Sequence, residues 1–114
     1  MYEQFLGKYI DIIIDRPAGS KHPKEDLIYP INYGYIPDTI AEDGHEIDVY
    51  AIDSTVPAKC IKVKIIGIVK RNNDTEKKLV GIESNKKFTK DEIMEIIYFQ
   101  EQYFDSFIEQ IYLS

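Results

Sequence analysis

Residues 29 to 48 read YPINYGYIPDTIAEDGHEID, a stretch crowded with tyrosine, proline and glycine that runs into a cluster of carboxylates. Asn32-Tyr33-Gly34 and Ile36-Pro37-Asp38 are turn signals, so Tyr29 to Asp43 is expected to be irregular, with at most a short extended piece. Gly44 lies just after Asp43 and lets the backbone turn sharply enough for Asp43 and Asp48 to converge. Hard carboxylate oxygens at a turn suit Mg2+, which in turn favours a phosphate substrate; a solvated acidic turn ahead of a strand is the plainer alternative. From Glu46 to Asp53 the pattern becomes that of a strand. Alternation there places Glu46, Asp48 and Tyr50 on one face and Ile47, Val49 and Ala51 on the other.

On either side of this stretch the chain is mostly strand, then helix. Tyr9 to Ile14 is an isoleucine-rich run closed by the Pro17-Ala18-Gly19-Ser20 turn, as in a buried strand. Lys21 to Asp26 is a polar loop. Ile61 to Lys70 reads as a strand, Asn72-Asn73-Asp74 as a turn, and Lys78 to Glu83 as the returning partner of a hairpin. Asp74, Glu76 and Lys78 share one face if that hairpin extends far enough. Thr89-Lys90-Asp91-Glu92 is a capping box, with Phe88 and Ile93 placed as a hydrophobic staple. Ile93, Ile97, Phe104, Ile108 and Ile111 then form the stripe of one long C-terminal helix. Strands followed by a helix give an α+β, mainly β domain spanning residues 1–114.

The chain has 44% hydrophobic and 30% charged residues, as an ordinary globular protein does. Its 20 acids against 14 bases give a net charge of −6, which disfavours nucleic acid as a partner but leaves small anions open. The single cysteine, Cys60, rules out an intramolecular disulfide and fits a reducing compartment. Glu3 stands where a signal peptide needs positive charge, and no apolar run approaches a membrane span. A soluble, cytoplasmic protein with no membrane partner is the expectation.

The central stretch resembles the signature of the soluble family I inorganic pyrophosphatases, in which YPxNYGYIPxT leads into DGDPxD. Here Asp43 and Asp48 match the first and last aspartates, and His45 replaces the middle one. The resemblance continues at Ile14-Asp15-Arg16-Pro17, similar to the family's Ile-Glu-Ile-Pro, at Lys24 in the following loop, at Asp74, Glu76 and Lys78, and at Phe99 and Tyr103. It implies a five-stranded, OB-like antiparallel barrel, possibly reduced, with a packed helix. It further implies Mg2+- or Mn2+-dependent hydrolysis of pyrophosphate to phosphate, and assembly into homo-oligomers. Asp15, Asp43, Glu46, Asp48, Asp74 and Glu76 become the candidate metal ligands. Lys24, Lys78, Tyr33 and Tyr103 become the phosphate contacts, with His45, Tyr33 and Asp48 in catalysis. Tyr29 and Tyr35 are read as structural.

Several positions depart from the family. Phe104 stands where a lysine is usual, and Lys24 and Tyr29 are only five positions apart, too close for the family's arginine-bearing hairpin. Lys21 and His22 are nearby positive groups that could take over part of that charge. His45 is open to three readings: a general base titrating near neutrality, a ligand for an ion softer than Mg2+, or a position without a role. Glu46 either supplies the missing oxygen or is an exposed strand-end residue.

Overall fold

The computed structural model describes residues 2–73 and 75–112; Asp74, a candidate ligand, lies outside them. A short 3-10 turn at Tyr2–Phe5 precedes β1 (Tyr9–Arg16), β2 (Asn32–Ile36), β3 (Ile47–Ala51), β4 (Cys60–Arg71) and β5 (Lys77–Ile82). Helix α1 (Lys90–Glu101) and strand β6 (Ser106–Ile111) follow. The strand order is β1-β2-β3-β5-β4, and β4 pairs back onto β1 to close a five-stranded barrel. Four of the five barrel pairings are antiparallel, and β3–β5 is parallel.

The two faces of this wall carry different cores. Ile12, Ile14, Ile47, Val49, Ala51, Val63, Ile65, Ile68 and Leu79 come from four separate strands and fill the barrel interior. Tyr33, Tyr50, Val69, Val80 and Ile82 point outward and meet Ile93 and Ile97 of α1. The alternation expected for β3 is therefore realised, with Ile47, Val49 and Ala51 inward and Tyr50 outward. Each fully buried branched side chain contributes about 1.5–3 kcal/mol, so these two layers hold the wall in place.

The region expected to be irregular contains β2. Its Gly34 is what allows this: a Cβ there would lie 1.9 Å from the carbonyl oxygen of Ile13, so only glycine lets β1 and β2 approach. Asn32 locks the entry to the strand. Its side chain accepts from the Ala18 amide at 2.8 Å and donates to Ser54 and Val56 at 2.7 and 2.8 Å.

The C-terminal helix is shorter than its apolar stripe suggested. Both capping-box bonds form at Thr89 and Glu92, and Phe88 packs on the layer that contains Ile93. The helix ends at Glu101, however. Phe104 lies in the turn that follows, and Ile108 and Ile111 belong to β6, paired with β4. Val69 pairs with Ile108 but Ile68 with Gln110, so Glu109 is the extra residue of a bulge. That bulge sets Ile108 and Ile111 on one side of a strand at a spacing that mimics a helical turn. No helix among the described residues is long and apolar enough to cross a membrane.

Candidate active site

A cleft of about 710 Å3 opens on the outer face of the barrel, beside the C-terminal end of α1. Its walls include Asp15 and Arg16 from β1, Tyr33 from β2, Asp48 from β3, Arg71 from β4 and Lys78 from β5. Gln100 lines it from the helix, Tyr103 and Phe104 from the turn beyond, and His22, Glu25 and Asp26 from the loop after β1. Tyr35 pairs with Asp48, Tyr33 with Tyr50, and Val69 with Lys78. Residues paired in this way share a face, which explains why side chains so distant in sequence converge.

Lys78 stands at the centre and is 4% exposed. Its ammonium donates to the Tyr33 hydroxyl at 2.7 Å, to Asp48 Oδ2 at 2.8 Å and to Glu76 Oε1 at 2.8 Å. Tyr33 in turn donates to Asp48 Oδ2 at 2.9 Å. Burial alone would push the Lys78 pKa down, but the charges of Asp48 and Glu76 outweigh it and the pKa is raised. The Tyr33 phenol is raised well above its ordinary value, first by burial and then by Asp48, so it remains a neutral donor. Burial also raises the Asp15 carboxyl; Arg16 opposes this, and the charge of Asp48 adds to it.

Adjoining this group through Glu76 is a second one, built on the buried Arg71 and Glu101. Arg71 Nε and Nη2 donate to the two carboxylate oxygens of Glu101 at 3.0 and 2.8 Å, and Nη1 donates to Glu76 Oε2 at 3.0 Å. Tyr50 also donates to Glu101, and the Phe104 ring centroid lies 3.6 Å from the Arg71 guanidinium carbon. Tyr29 donates to Gln100 at 2.6 Å, and Gln100 donates to Tyr50 at 2.7 Å. Neither Arg71 nor Glu101 was singled out from sequence. Glu101 did carry a signal, since it continues the Ile93, Ile97 spacing on a face otherwise apolar.

The structure thus brings Asp15, Tyr33, Asp48, Glu76, Lys78 and Tyr103 to one cleft. Lys24, Asp43, His45 and Glu46 are exposed and do not line it. Asp43 accepts from the His45 amide at 3.0 Å, and Gly44 has φ +85°, so the Asp43 carboxylate serves its own turn. Of Lys21 and His22, His22 lines the cleft, where its Nδ1 accepts from the Lys24 and Glu25 amides at 3.1 Å, whereas Lys21 is paired with Asp26 at 3.7 Å on the surface.

Among the described residues no group of three or more His, Cys, Asp or Glu side chains is arranged to hold a metal ion. The two oxygens of Glu76 already accept from Lys78 and Arg71. Asp15 and Asp48 are hard donors facing one cleft. Such a pair suits a largely hydrated divalent ion completed by phosphate oxygens, not an all-protein cage.

The family model for inorganic pyrophosphatase matches residues 14–110. Among curated relatives, the inorganic pyrophosphatase of Nanoarchaeum equitans is 38% identical over 64 residues, covering 53% of this chain and 40% of its own. That of Saccharolobus solfataricus is 30% identical over 97 residues, covering 68% and 56%. The chain spans about half the length of these relatives. The crystal structure of inorganic pyrophosphatase from Ehrlichia chaffeensis superposes with a TM-score of 0.67, over 92% of this chain and 85% of that one. At 22% identity that likeness bears on the fold alone. A match that runs from the end of β1 through the cleft and α1 into β6 identifies this chain as a member of the inorganic pyrophosphatase family.

Proposed function

We propose that the chain hydrolyses inorganic pyrophosphate to phosphate with the help of a divalent ion, Mg2+ in the first instance and Mn2+ as an alternative. The observation that supports this most is the Lys78–Tyr33–Asp48 group in a cleft of a family barrel. The cleft's charge supports it as well. Among the described residues five carboxylates (Asp15, Glu25, Asp26, Asp48 and Glu76) face three permanent cations (Arg16, Arg71 and Lys78), so a bare pyrophosphate anion would be repelled. A divalent ion bound there would neutralise phosphate charge and lower the pKa of an attacking water. Asp15 and Asp48 would hold it. Lys78 and Tyr33 would donate to phosphate oxygens at the cleft floor, and Tyr103 would do so at its rim. Release of phosphate from pyrophosphate with added Mg2+ or Mn2+ tests the reading; no release above a metal-only blank, with either ion, rejects it.

A second reading, binding of metal and phosphate without turnover, is favoured by one observation. Asp48 and Glu76 are both tied to Lys78, and an ion would have to compete with that ammonium. Mg2+-dependent pyrophosphate binding in calorimetry without phosphate release would select this alternative.

A further inference from the structure

Two of the three permanent cations in the cleft are already committed. Lys78 is shared between Asp48 and Glu76, and Arg71 between Glu101 and Glu76. Arg16 differs. Its Nη1 donates to the carbonyl oxygen of the neighbouring Asp15 at 3.1 Å, and among the described residues it forms no ion pair within 4 Å.

Its position depends on an irregularity in β1. Ile14 pairs with Gly34 but Arg16 pairs with Tyr33, which makes Asp15 the extra residue of a bulge. In an unbroken strand, residues two apart share a face, and Arg16 would follow Ile12 and Ile14 into the barrel interior. The bulge turns it onto the face of Tyr33, into the cleft wall. Tyr29 lies within its reach: burial raises that phenol, and Arg16, then Lys78, hold the rise in check.

Resting on the phosphoanhydride reading above, we propose that Arg16 is a substrate-binding residue that clamps a terminal phosphate of the bound anion, above the deeper Lys78 and Tyr33. A guanidinium suits this role because it is planar, always charged and able to donate two parallel bonds to phosphate oxygens. Among the described residues it is also the cleft cation that an incoming phosphate meets without first breaking an ion pair. In the family pattern Ile-Glu-Ile-Pro an apolar residue occupies this place, so the cation is a feature of this chain's own sequence.

The test uses Arg16→Gln and Arg16→Lys in the full chain. It combines calorimetric binding of the pyrophosphate analogue imidodiphosphate with Mg2+, steady-state kinetics on pyrophosphate, and melting temperature. Arg16→Gln should weaken analogue binding and raise KM by about tenfold to a hundredfold, the worth of a charge-assisted hydrogen bond, with a smaller change in kcat. Arg16→Lys should recover part of the loss, and both variants should melt with the wild type. Wild-type affinity and KM in Arg16→Gln would overturn the proposal, as would an affinity loss matched by a lowered melting temperature. A wild-type protein that binds the analogue but releases no phosphate would defeat the hydrolysis reading alone, since Arg16→Gln still reports on affinity. Wild-type turnover with an unchanged KM in Arg16→Gln would defeat the Arg16 assignment alone. A wild-type protein that fails to bind the analogue overturns both.

Discussion

Lys78 Nζ lies 2.8 Å from Asp48 Oδ2, joining β5 to β3 across their parallel pairing. The contact links the barrel's parallel seam to its chemistry. Replacing Lys78 with Met keeps a long apolar stem but leaves Asp48 and Glu76 as two anions that have lost their common partner. Both carboxylate side chains are about a third exposed, at 31% and 29%, so water softens the penalty. We expect a loss of about 1–3 kcal/mol in urea unfolding and a much larger proportional loss of pyrophosphate turnover. A stable variant with wild-type turnover would remove Lys78 from the site.

Glu101 should set the acid limit of stability. Burial raises its pKa, but bonds from Arg71, Ser106 and Tyr50 prevail and the folded-state value is lowered. A depressed carboxyl stabilises the fold fully above its unfolded value, near 4.5, and loses that contribution as the pH falls through the folded one. Lys78 behaves in the opposite sense: raised above 10.5, its contribution is present below that value and is lost only as the pH climbs through the folded pKa. The melting temperature should therefore hold across the neutral range and fall below about pH 4.5. Glu101→Gln should cost about 3–5 kcal/mol at pH 7 and flatten the acid limb.

His45→Asp tests whether the signature's altered position still touches the chemistry. His45 is exposed and absent from the cleft wall. The substitution should leave the ratio of Mg2+- to Mn2+-supported activity and the acid limb of the pH profile within about twofold of wild type, a shift smaller than 0.5 kcal/mol. A marked gain in Mg2+ affinity would place position 45 within reach of the ion.

Phe104→Lys restores the residue usual in the family at a place where this chain has built something else. The Phe104 ring covers the Arg71 guanidinium, and a lysine would replace that attraction with like-charge repulsion. We expect a loss of about 1–2 kcal/mol, read as a lowered melting temperature, without tighter pyrophosphate binding. Tighter binding at wild-type stability would show the family's lysine role to be recoverable.

How legible all this was in the sequence varies by residue. The strand face holding Asp48 and Tyr50, the β4–β5 hairpin that sets Glu76 beside Lys78, and the helix start at Thr89 follow from local periodicity and capping, which a linear pattern encodes. The barrel itself came from resemblance, because strand order is fixed by long-range pairing. Bulges account for much of the rest. The one at Asp15 redirects Arg16, and the one at Glu109 lets Ile108 and Ile111 imitate a helix; in both cases a single extra residue breaks the period that the reading relies on. Arg71 was hidden for another reason: its partner Glu101 is distant in the chain, and only packing shows that the two are buried together.

The β3–β5 seam also orders events as the chain folds. Parallel neighbours cannot be joined by a hairpin, so β4 must be laid down between them in sequence before β5 can dock on β3. Contacts of such long sequence separation form late and slowly. Asp48 and Lys78 therefore first meet when the seam closes, after the local hairpins and the helix can already exist. In a refolding experiment, recovery of the site would report the moment at which β5 docks on β3, trailing the return of the local hairpins.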